Sequence, residues 1–204
     1  MALAFFFSAH VIECLMKKTA AILLILISIP SLGYPADPEE ALFDNIEVAY
    51  FGETFTHPGF FAGSEWTISG GEWFLWFASG TLGFYVHPRN HTGIFLTAET
   101  GFRASFVFGG TFGVHGGLGY LHTFAGGPVY EMSGGIPVQI VDYGEANLVI
   151  PVFIEIGYDF RVNAGLPARF FIGAGVLIEY PFENMLLPHP AIEAGIAWYF
   201  GEGE

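Results

Sequence analysis

The sequence predicts an all-β fold: a transmembrane antiparallel β-barrel of eight strands, preceded by a cleavable signal peptide. Three observations carry this. Aliphatic and aromatic residues make up 52% of the chain and charged residues only 13%. Past residue 36, however, Gly, Thr, Glu, Ser or His interrupts every apolar run, well short of the roughly 18 residues that a spanning helix needs. Apolar side chains instead recur at every second position, as in a strand with one face in hydrocarbon.

Residues 16–33, MKKTAAILLILISIPSLG, carry Lys17 and Lys18, an apolar run from Ala20 to Ile29, then the small residues Ser31 and Gly33 before the cleavage point. That is the order of a secretory signal peptide. Residues 1–15 precede a better start at Met16 and read as a misassigned upstream start or an extended leader. Cys14 is the single cysteine. Glu13 stands where a lipid-attachment signal needs a small residue, so no lipidation is expected, and the processed chain has no disulfide framework. Residues 34–45 are acidic and aperiodic and read as a periplasmic arm.

Alternation and turn signals place strands at about 46–55, 59–69, 72–87, 93–103, 105–124, 147–160, 168–180 and 190–200. In 148–160, Ile150, Val152, Ile154, Ile156, Tyr158 and Phe160 share a face opposite Pro151, Phe153, Glu155, Gly157 and Asp159. In the last strand, Ile192, Ala194, Ile196, Trp198 and Phe200 oppose Glu193, Gly195, Ala197 and Tyr199. Short turns are expected around Gly70, Ala104 and 161–167, and longer external loops at 125–146 and 181–189. Trp66, Trp73, Trp76, Phe102, Phe106, Phe160, Phe170, Trp198 and Phe200 collect toward the short-turn side, as an interfacial girdle would. In 109–121, Gly109, Gly113, Gly117 and Gly119 recur within an alternating strand with no helix behind them, so this is no nucleotide loop.

The final strand carries a polar residue, then glycine, then two aromatics at Glu193, Gly195, Trp198 and Phe200, ahead of the acidic tail 201–204. This resembles the signal by which barrel-assembly machinery recognises its clients. With the signal peptide and the alternation, the chain over 46–200 resembles the small single-chain bacterial outer-membrane β-barrel proteins as a class. The resemblance implies the outer membrane of the bacterial envelope, contact with outer-membrane lipid and the assembly machinery, and both termini in the periplasm.

Six Lys and Arg stand against 20 Asp and Glu, a net charge of −14. That excludes nucleic acid as a partner, because phosphate binding rests on basic patches. An eight-stranded barrel is filled by its own side chains or holds one small ligand, so an open porin is excluded. Glu65, Glu99, Arg103, Glu155, Asp159, Arg169, Glu179 and Glu193 fall on the inward face and are expected to form a paired internal charge network. His57, His87, His91, His122 and His189 fall at strand ends on the external rim, three of them as His-Pro, and are candidate ligands for a transition metal. No cofactor is expected. The favoured function is non-enzymatic: structural, or a surface interaction through loop 125–146. One alternative is a lipid-modifying enzyme (acyl hydrolase or acyltransferase), with Ser133, His122 and Glu131 as its only arrangement. The other is a narrow pore or a small-ligand or metal-binding barrel.

Overall fold

The computed structural model describes residues 43–54, 57–88, 90–182 and 185–200. The expected upstream extension, the signal peptide, the arm up to residue 42 and the acidic tail lie outside the described residues.

Among the described residues ten strands form two sheets: β1 (Asn45–Glu53), β2 (His57–Gly70), β3 (Phe74–His87), β4 (His91–Ser105), β5 (Gly110–Ala125), β6 (Val129–Ser133), β7 (Ile136–Ile140), β8 (Glu145–Asp159), β9 (Ala168–Phe182) and β10 (Met185–Tyr199). Eight of them close a barrel in the order β1–β10–β9–β8–β5–β4–β3–β2, and β6 and β7 form a separate hairpin. Closure is antiparallel, from Asn45 opposite Tyr199 to Glu53 opposite Ala191. A short helix, α1 (Arg161–Ala164), links β8 to β9.

The two-residue period sorts the side chains. Along β8, Leu148, Val152, Ile154 and Ile156 are exposed while Val149, Phe153, Glu155 and Asp159 are buried. The same holds around the ring: Leu82, Leu96 and Leu118 lie outside, each more than half exposed, whereas Asn45 and Arg169 are fully buried. Each large apolar side chain left in water forgoes about 1.5–3 kcal/mol. An exterior built of them, around an interior that holds the charges, is stable in hydrocarbon and identifies the barrel as a transmembrane one.

The girdle aromatics point outward. Trp66, Trp73, Trp76, Phe102, Phe106 and Phe170 are exposed, and Phe102 stacks between Phe74 and Trp76 at 5.3 and 6.0 Å. Trp76 Nε1 donates to Thr100 Oγ1 at 2.8 Å, which satisfies its one polar atom on the apolar surface.

Three boundaries differ from the sequence expectation. The turn expected near Ala104 lies at Phe106–Gly109, and β5 starts at Gly110. Gly109 takes φ +91°, open to glycine without penalty, and so belongs to the turn and not to the inward face of β5. Of the loop expected at 181–189, the described residues are strand instead: β9 runs to Phe182 and β10 begins at Met185. Pro190 turns its carbonyl toward Thr54, so its missing N–H and that of Pro188, two residues earlier, face the side where β1 has already ended, a position that tolerates proline. The stretch expected as loop 125–146 is shorter and carries the β6–β7 hairpin.

Candidate functional site

Inward side chains stack in three layers along the barrel axis. The layer nearest the termini is charged. Arg103 Nη1 donates to Glu65 Oε2 at 3.1 Å, with a second bond from Arg103 Nη2 to Glu65 Oε1. Asn45 Nδ2 donates to the same carboxylate at 2.7 Å. Arg169 bonds Glu155 and donates from Nε to Tyr199 Oη at 3.2 Å. Just above, His115 Nδ1 meets Glu99 Oε2 at 2.7 Å and its Nε2 lies 3.5 Å from Glu193. A void of about 30 Å³, room for one water, lies between Glu47, Arg103, His115 and the four carboxylates just named on one side and Phe51, Phe61 and Phe95 on the other. Asp159 instead pairs with Arg161 of α1 at the barrel's end.

The middle layer is apolar, and every strand of the ring contributes: Phe51, Phe61, Tyr85, Phe95, Leu121, Val149, Leu177 and Ala191, all buried. Phe51 of β1 meets Phe95 of β4 with ring centroids 5.1 Å apart.

The third layer forms the mouth on the hairpin side. Glu53 bonds His57 and, at 2.9 Å, His189 Nδ1. His189 Nε2 reaches Glu179 Oε2, also at 2.9 Å, and Asn147 Nδ2 donates to Glu179 Oε1 at 2.6 Å. The His57 and His87 rings lie 3.6 Å apart edge to face, His87 and His91 5.3 Å apart, and Tyr85 Oη lies 3.3 Å from His91 Nε2. Above them opens a cavity of about 600 Å³, bounded on the hairpin side by Asp142, Glu145 and Val129.

The expected interior charges therefore occupy the inward face but in separate groups: Glu65, Arg103, Glu155 and Arg169 together, Glu99 with Glu193, Glu179 at the mouth, Asp159 at the opposite end. His115, Glu47 and Glu53 are site residues that the sequence reading passed over. His115 was findable, because it shares parity with Gly113 and Gly117.

The five rim histidines divide. His57, His87, His91 and His189 line the cavity. His122 is in register with outward Ile94 and spends both ring nitrogens, on Tyr120 Oη at 2.6 Å and the Tyr143 carbonyl at 3.0 Å. Among the described residues no three His, Cys, Asp or Glu side chains are placed to hold a metal ion. Ser133 pairs with Ile136 at the hairpin turn, whereas His122 sits in β5, so the two are not assembled as nucleophile and base.

No family model and no curated protein matches the chain. Among solved structures, the N-terminal β-barrel domain of Pseudomonas aeruginosa OprF is similar at 12% identity and TM-score 0.48, covering 78% of this chain and 98% of that one. Neisserial surface protein A follows at 10% identity and TM-score 0.49, covering 78% and 96%. The outer membrane enzyme PagL matches at 10% identity and TM-score 0.42, covering 76% and 97%.

Proposed function

We propose that this chain is a sealed, non-enzymatic barrel of the bacterial outer membrane, with its termini in the periplasm and its hairpin end at the cell surface. The observation that carries this reading is the apolar middle layer. One or two side chains from each strand fill the lumen between the charged layer and the mouth; of these only Tyr85 carries a polar group, turned to His91, so an ion crossing there would shed its water with little to replace it. The β6–β7 hairpin, with Tyr130, Met132, Ile136 and Val138 exposed, is the surface offered for interaction. Residues 16–33 serve as the export signal, and Glu193, Gly195, Trp198 and Phe200 present the closing strand to the assembly machinery.

The test is reconstitution of the processed chain into lipid vesicles and planar bilayers. Acyl-brominated lipid quenches the fluorescence of Trp66 and Trp76, and the bilayers carry no unitary current. Discrete current steps, or a monomer that stays soluble without detergent, would sink the reading.

A further inference from the structure

We propose that the free edge of β6 docks an extended segment of a partner protein, one that carries a basic residue between apolar ones. The inference rests on the preceding reading, which puts the hairpin at the cell surface, and names the chemistry of its partner.

Closure of the ring leaves strand edges only in the hairpin: among the described residues β6 pairs with β7 alone, and β7 with β6 alone. The pairing fixes where the free backbone groups point. Met132 stands opposite Pro137, and proline has no N–H to give to a ladder, so that pair is a non-hydrogen-bonded one. Pairs alternate along an antiparallel ladder, so Tyr130 opposite Gln139 is of the same kind. The N–H and C=O groups of Tyr130 and Met132 therefore point away from β7, and both residues are exposed.

The two edges of the hairpin differ. On β7 the free edge is interrupted by Pro137, a common protection against a further strand. β6, Val-Tyr-Glu-Met-Ser, has neither proline nor lysine and keeps its edge open. A two-stranded sheet is marginal by itself in water and gains from a third strand.

Charge decides between occupants. An antiparallel strand added to β6 is hydrogen-bonded at Tyr130 and Met132, which leaves Glu131 at the non-hydrogen-bonded position between them, where facing side chains approach closest. A second copy laid there with full overlap sets Glu131 against its own counterpart, and like charges directly opposed destabilise a sheet. Residues 125–146 hold Glu131, Asp142 and Glu145 and no Lys or Arg. A lysine or arginine in the incoming strand answers Glu131, with apolar neighbours against Tyr130 and Met132, while the main chain supplies the hydrogen bonds.

The test is fluorescence anisotropy of a labelled peptide, Val-Thr-Val-Lys-Val-Thr-Val, added to the detergent-refolded, processed chain. Saturable binding is expected, weakened about fivefold when glutamate replaces the lysine, and Glu131→Lys should reverse that preference. Met132→Pro removes an outward N–H without touching a bond between β6 and β7, and should weaken binding about fivefold or more. A gel comparing boiled and unboiled protein reports the barrel in each variant. A heat-shifting barrel that binds no peptide, that ignores the charge at the peptide's centre, or whose affinity ignores Met132→Pro overturns the proposal, as does pairing of two copies through β6 in sedimentation. The reading beneath it fails separately. The one native cysteine, Cys14, lies upstream of the processing point, so Ser133→Cys should react with a membrane-impermeant maleimide on intact cells, and no reaction there would mean that the hairpin is not at the surface.

Discussion

Glu65 of β2 and Arg103 of β4 hold each other by two side-chain hydrogen bonds although β3 lies between their strands and 38 residues separate them in sequence. The pair stitches together strands that share no backbone ladder, and Arg169 and Glu155 extend it across the lumen, with Arg103 Nε and Arg169 Nη2 each 3.6 Å from the other pair's carboxylate.

Breaking this layer from one side should therefore be costly. Arg103→Met leaves the Glu65 carboxylate buried against Asn45 with Arg169 as its nearest cation, and is expected to destabilise the barrel by about 3–5 kcal/mol. Replacing both partners, Arg103→Met with Glu65→Leu, removes the stranded charge and should recover most of the loss. Urea midpoints of the vesicle-inserted protein measure both; a single substitution as stable as wild type would contradict the assignment.

The apolar layer should act as the seal. Phe95→Ala is expected to lower stability by about 3–5 kcal/mol. The double variant Phe51→Ala with Phe95→Ala, which deletes both rings of a contact spanning the lumen, should admit small ions in planar bilayers where the parent protein is silent. Equal silence in the two would show that the barrier lies elsewhere.

Gly93 is set by the packing of the mouth. A Cβ there would lie 2.5 Å from the Tyr85 ring, and that ring belongs to the apolar layer and neighbours His91. Gly93→Val should displace Tyr85 and cost about 1–3 kcal/mol through overpacking. The temperature at which the folded band converts on a gel is expected to fall; an unchanged temperature would mean the ring has room to move.

The legibility of the fold followed from its inversion. Alternation in 93–103, 148–160 and 190–200 assigns a face to each side chain because successive residues of a strand must point to opposite sides. Turn positions were less legible. Gly109 continues the alternation of β5 in sequence, and only its hydrogen-bonded geometry removes it to the turn. Pro188 and the residues before it look like a loop because the strand they occupy outruns its neighbour β1, which no local signal records.

The same distinction governs the site. Parity places Glu65, Arg103, Glu155 and Arg169 on the lumen side, but pairing depends on which strands stand opposite and at what height, and those follow from closure of the ring. Hence five similar histidines part company: four meet in one cavity, while His122, shifted by one residue from Leu121, turns outward. The sequence by itself determined the period, the two faces and the all-β membrane barrel, because these are properties of each strand alone. The layering of charge, apolar seal and polar mouth was decided only by the tertiary structure, because each layer takes its members from strands far apart in the chain that closure brings to a common level.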